Sequence, residues 1–119
     1  MTSSVEVLYS RAFKRQLKKL SRQYRRIKSD LTPVVDALLA GETPGDQLSG
    51  CSHRLFKVRA PNSDSQRGKS GGYRIIYYVK TETHCILVTV YSKSDQDDID
   101  NTALKQLMDE IDRELPSAG

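Results

Sequence analysis

The chain has 119 residues, 29% of them Lys, Arg, Asp or Glu, with a formal net charge of +4. That length fits one hydrophobic core and is short for two, so a single domain over residues 1–119 is expected. No apolar run approaches the ~18 residues a membrane-crossing helix needs, and Met1-Thr2-Ser3-Ser4 opens no basic-then-apolar leader, so a soluble cytoplasmic protein is expected.

In chain order, Val5–Leu8 reads as a short strand. Phe13, Leu17, Leu20, Tyr24, Ile27, Leu31, Val34 and Leu38 then recur every three or four residues, the stripe of a core-facing helical segment. Ser21 is a plausible N-cap and break, which makes the segment a helical hairpin. Pro33 should kink the second helix or mark a restart capped by Asp30 or Thr32, and Gly41 ends it. Between Arg11 and Lys28 stand nine basic residues and no acid. With no carboxylate four residues away to offset them, these charges repel one another and suit a polyanion, with Lys14, Lys18, Arg22 and Arg25 as candidate contacts.

After the turn-rich Glu42–Asp46 come three strands, around Leu55–Arg59, Gly72–Val79 and Cys85–Lys93. Side chains alternate between the faces of a strand. By parity Phe56, Val58, Ile86, Val88 and Val90 point into the core. The opposite parity collects Lys57, Arg59, Arg74, Tyr78, Tyr91 and Lys93, which should share one sheet face. Arg67-Gly68-Lys69-Ser70-Gly71-Gly72 tempts a nucleotide-loop reading, but it lacks the first glycine and the following helix of a Walker motif. It reads instead as a long hairpin tip carrying Arg67 and Lys69 as further phosphate contacts. Cys51 and Cys85 have no metal-ligand spacing, so reduced thiols and no metal or other cofactor are expected.

The charge is divided along the chain. Residues 1–94 carry a net +10 and residues 95–119 a net −6, summing to +4. The acidic end, about residues 95–115, reads as a final helix started by Ser94–Asp98 and docked through Leu104, Leu107, Met108 and Ile111. It should order the end of the cationic face and temper its charge. The order βααβββα describes an α+β domain, with helices on one side of a twisted antiparallel sheet.

The stretches Phe13–Leu20, Leu48–Gly50, Leu55–Arg59, Gly68–Tyr78 and Val90–Lys93 together resemble the RelE/ParE superfamily of bacterial toxins, nearest to the RelE and HigB-like messenger-RNA interferases. The most specific part is Gly68-Lys69-Ser70-Gly71-Gly72-Tyr73-Arg74, followed by Tyr91-Ser92-Lys93. The resemblance implies an antitoxin partner and a ribosome-dependent endoribonuclease that cleaves messenger RNA in the A site, inhibiting translation, with Arg67, Lys69, Tyr78, Lys14, Lys18, Arg22 and Arg25 as contacts to RNA or the ribosome. It carries Lys57, Arg59 and Arg74 onto the family's basic cluster, and Tyr91 and Lys93 onto its C-terminal catalytic segment. The pattern departs at Leu55 and Ser94, which stand where the family has a lysine and an arginine, and the last helix lacks the family's tyrosine.

Cleavage of this kind uses the RNA 2′-hydroxyl as nucleophile. Arg59 and Arg74 suit bidentate grip of phosphate oxygens. Lys57 or Lys93, crowded by cations, suits proton transfer, and Tyr91 suits orienting the hydroxyl or stacking on a base. His53 is the imidazole of that parity and a candidate acid or base at the strand edge. The main alternative is a ParE-like inhibitor of DNA gyrase with no nuclease activity, because fold does not fix function. A plain nucleic-acid-binding module would explain the basic helix but not the phenols among the cations.

Overall fold

The computed structural model describes residues 5–50, 52–64, 72–93 and 98–114. In order these form β1 (Glu6–Tyr9), α1 (Arg11–Gln23), α2 (Ile27–Leu39), β2 (Asp46–Gln47), β3 (Leu55–Ala60), β4 (Tyr73–Thr81), β5 (His84–Ser92) and α3 (Asn101–Glu114). One sheet runs β1-β5-β4-β3-β2. The α+β class stands, with two differences from the expected sheet. β1 pairs parallel to β5, so the sheet is mixed, and the turn-rich loop contributes the two-residue β2.

The hairpin begins on Ser10. Its buried hydroxyl accepts the Phe13 N–H at 3.1 Å and donates to the Val88 carbonyl at 3.0 Å, so one side chain caps α1 and ties it to β5. The Glu114 carboxylate also accepts the Arg11 N–H, at 3.1 Å, placing negative charge at the helix's positive end. Ser21 is not the break between helices. α1 runs through it, and the Ser21 hydroxyl donates to Lys18 O one turn back. The chain turns instead at Tyr24–Arg26. No local side chain caps α2; the Asp64 carboxylate, from beyond β3, accepts the Arg26 N–H at 2.7 Å. Nor does Pro33 restart α2, which is continuous from Ile27 to Leu39. Asp30 instead accepts the N–H and hydroxyl of Ser63 at 2.9 and 3.1 Å, and Thr32 donates to Lys28 O.

Helices cover both faces of the sheet rather than one. Phe13, Leu20, Ile27, Leu31, Val34 and Leu38 of the hairpin pack on Phe56, Val58, Tyr73, Ile75, Tyr77, Leu87 and Val90. On the other face Leu104, Met108 and Ile111 of α3 pack on Leu55, Ile76, Ile86, Val88 and Tyr91. Parity on β3 and β4 places their residues as expected, but on β5 it does not. Ile86 and Val88 lie on the α3 side and Val90 on the hairpin side. The reason is a β-bulge: Ile76 faces Thr89 and Tyr77 faces Leu87, leaving Val88 as an extra residue that shifts the alternation. Ser10 satisfies the Val88 carbonyl at that point.

Candidate active site

The bulge sets the geometry of the cationic face. Beyond it, Tyr91 falls on the α3 side, in register with Arg74, which is itself in register with Arg59. Three strands thus present a lateral row of guanidinium, guanidinium and phenol about 10 Å wide, given strand spacings of about 4.8 Å. In the next row Lys57 stands between Ile76 and Asp46. The Lys93 N–H donates to Gly72 O at 2.9 Å, anchoring the end of β5 to the start of β4. Asp46, Lys57, Arg59, Arg74, Lys93 and Asp98 line one open cavity of about 510 Å³.

Two glycines allow close backbone approach at the strands that carry these residues, Gly45 in the cavity lining and Gly72 at the start of β4. Gly72 has φ +96°, a left-handed conformation, and a Cβ there would stand 2.6 Å from Ala60 O. Gly45, at φ +92°, lies directly against the Lys57 backbone. The Tyr77 hydroxyl donates to neighbouring Pro44 O at 2.5 Å, holding that loop to the sheet.

Arg74 is 8% exposed, buried at the cavity floor, where its guanidinium donates to Tyr73 O at 3.3 Å. Tyr91 is buried beside it. Burial, and then its hydrogen bond to Asp98, push the phenol up to about 12, with Arg74 pulling the other way. At neutral pH Tyr91 is therefore a hydrogen-bond donor and not a phenolate. Among the described residues, Asp98 Oδ1 accepts the Ile99 N–H at 2.8 Å, the Tyr91 hydroxyl at 3.1 Å and the Lys57 ammonium at 3.3 Å. The Ile99 N–H, followed by the Lys57 and Tyr91 bonds, holds this carboxyl below the ordinary carboxylate value. The acidic segment does reach the cationic face at this residue. Asp100 instead serves α3, accepting the Thr102 N–H at 2.8 Å. Asp95 and Asp97 lie outside the described residues, as do Arg67, Lys69 and Cys51.

Other candidates stand elsewhere. His53 is at the far end of the same face, where Nε2 meets Asp112 of α3 at 3.0 Å and the ring lies edge-on to Tyr78, centroids 5.1 Å apart. His53 and Tyr78 thus form a clasp on the end of α3, and His53 lines a separate cavity of about 440 Å³. Lys14, Lys18, Arg22 and Arg25 are exposed on the hairpin, which covers the opposite face of the sheet. They form a second basic surface. Asp46 and Gly45 were not among the sequence candidates; their signal was only a turn-rich composition, and pairing with β3 brings them to Lys57.

Fold and site together define a small α+β protein that clusters guanidinium, ammonium and phenol donors at one end of a sheet face. Residues 10–114 match the family model of the RelE toxin of the RelE/RelB toxin–antitoxin system, and the chain belongs to the RelE toxin family. It is accordingly a toxin of a toxin–antitoxin module, with an antitoxin as its partner. No curated protein matches the chain. Among the described residues, no helix is long and apolar enough to cross a membrane.

Proposed function

We propose that this toxin is an endoribonuclease of the cytoplasm that blocks translation by cleaving messenger RNA in the ribosomal A site. The observation that supports this most is the in-register row of Arg59, Arg74 and Tyr91 with Lys57 beside it; Lys57, Arg59 and Arg74 line one cavity, and the Tyr91 hydroxyl donates to Asp98, which lines it too. In the reaction the RNA 2′-oxygen attacks the adjacent phosphorus, the bond to the 5′-oxygen breaks, and a cyclic phosphate and a free 5′-hydroxyl result. Arg59 and Arg74 hold the non-bridging oxygens as their charge grows, the largest contribution a preorganised site of this kind makes. Tyr91, kept protonated by burial, donates with Lys57 to a phosphate oxygen on binding and turns to the departing 5′-oxygen as its bond breaks. The 2′-hydroxyl proton passes to the Lys93 amine, while Lys57 stays an ammonium and grips the phosphate.

No histidine lines this cavity among the described residues. Placement of the 2′-hydroxyl therefore falls to the ribosome, which holds the messenger in line for attack. The basic surface of the hairpin, with Lys14, Lys18, Arg22 and Arg25, binds ribosomal RNA and steers the approach. Arg67 and Lys69 add phosphate contacts.

The test is to incubate the protein with translating ribosomes and messenger RNA, with the same RNA free of ribosomes, and with gyrase in a supercoiling assay. Cleavage within A-site codons, slow or absent cutting of free RNA and unimpaired supercoiling are expected. Inhibited supercoiling without RNA cleavage would instead support the ParE-like alternative.

A further inference from the structure

Asp98 occupies an unusual position for an acid. It lies just before α3, yet its Oδ1 is the common acceptor of Tyr91 and Lys57, two of the donors the reaction needs aimed at a phosphate. It shares the cavity with Arg59, Arg74 and Lys93. A carboxylate oxygen and a non-bridging phosphate oxygen are alike as acceptors: each is anionic, and each takes N–H and O–H donors at similar distances. Convergence of an ammonium and a phenol on one oxygen therefore marks a point at which this site accepts a phosphate oxygen.

The contact is also exchangeable. The Asp98 side chain is 62% exposed and Lys57 30% exposed, and ion pairs in such surroundings are weak. A phosphate diester in the cavity adds Arg59 and Arg74 to the same two donors. The carboxylate borders solvent, so water can take up its solvation as the phosphate takes its place at the two donors.

We infer that Asp98 is a built-in stand-in for a substrate phosphate oxygen: in the free toxin it holds Lys57 and Tyr91 aimed at one point, and the RNA phosphate displaces it on binding. This rests on the reading under Proposed function and extends it to how the empty site is kept. Asp98 is a positioning residue and a competitor, and it takes no proton in the reaction. The acidic start of α3 then acts locally, through one oxygen at the site, as well as through general field.

The experiment is titration of the free full-length protein with inorganic phosphate, and with a dinucleotide whose 2′-hydroxyl is absent, by calorimetry. Wild type is compared with Asp98→Asn, Asp98→Ala, Lys57→Ala and Arg74→Ala. Asn keeps an acceptor for the Ile99 N–H, which protects the fold if Ala does not. Both Asp98 variants should bind the two probes more tightly, by up to about fivefold if displacing an exposed ion pair is the only cost removed. Adding Lys57→Ala to Asp98→Asn should cancel that gain, since the competitor and its target act on one donor. Unchanged or weaker binding in both Asp98 variants, with binding still lost in Arg74→Ala, overturns the stand-in and leaves the pocket as the phosphate site. Binding unaffected by Lys57→Ala and Arg74→Ala overturns the stand-in and the reading beneath it together. Messenger cleavage on programmed ribosomes is measured beside the titrations, and cleavage lost in Asp98→Asn without tighter phosphate binding would make the carboxylate a base and contradict the inference.

Discussion

The two faces of the sheet are built to different rules. Under the hairpin the face is apolar from Phe56 to Val90, packed against two helices whose own stripe is nearly continuous. Under α3 it is divided. Leu55, Ile76, Ile86 and Val88 form a smaller apolar patch, while Lys57, Arg59 and Arg74 lie beyond the helix in an open cavity. One face holds the molecule together. The other gives up part of its burial to keep charged groups in contact with solvent, and the weight of stability should lie accordingly.

Truncation tests that division first. Phe13→Ala, between hairpin and sheet, should cost about 3–5 kcal/mol, in the range for a buried aromatic, as read from denaturant midpoints. Leu104→Ala on α3 should fall at the low end for a buried leucine, about 2–3 kcal/mol. Equal losses would show that α3 is as integral as the hairpin. Gly72→Ala should come next, costing about 1–3 kcal/mol for a side chain at positive φ pressed on Ala60 O, and should loosen the anchor of Lys93.

A smaller effect is expected from pH. The folded protein raises Tyr91 from 10.0 to about 12, mainly by burial, and raises the hairpin-side Tyr73 and Tyr77 as well. A raised folded value favours the protonated phenol. The stability it confers is complete below pH 10 and lost as pH rises from 10 toward 12. Melting temperature should therefore fall through that window, and Tyr91→Phe should flatten part of the fall. An unchanged profile in Tyr91→Phe would assign the loss to the other raised groups, Tyr73, Tyr77 and Cys85 under the hairpin and Tyr78 beside α3. The smallest effect is expected at Tyr73, whose buried hydroxyl has no hydrogen-bond partner among the described residues. Tyr73→Phe should leave stability unchanged or raise it by up to about 1 kcal/mol, because an unsatisfied polar group is removed at constant shape.

The sequence made the hairpin stripe, the faces of β3 and β4 and the basic cluster legible, because each depends on a local period of two or of three to four residues. What it concealed depends on contacts between distant segments. The Val88 bulge is visible only from the pairing of β5 with β4, yet it brings Tyr91 into the Arg74 row while Ile86 and Val88 stay on the same side. Ser21 had the composition of a cap, but Ser10 holds that role because β5 supplies a second partner for its hydroxyl. Asp64 caps α2 from 38 residues away, beyond any motif. His53 shares the strand parity of Lys57, but Asp112 and Tyr78 engage it at the other end of the face. Asp98 was readable as part of an acidic segment, whereas its bonds to Lys57 and Tyr91 required the fold.

The central claim is that the α3 side of the sheet performs the chemistry and the basic hairpin only assists binding. Single-turnover cleavage of messenger RNA on programmed ribosomes, at saturating toxin, separates the two. Arg74→Ala should slow cleavage by about 10²–10³-fold, the loss typical of removing one preorganised donor, with circular dichroism unchanged. Lys18→Ala with Arg22→Ala should leave the saturated rate near wild type and raise only the concentration needed to reach it. A folded Arg74→Ala toxin that cleaves at the wild-type rate, or a hairpin variant that loses the saturated rate instead, would contradict the account.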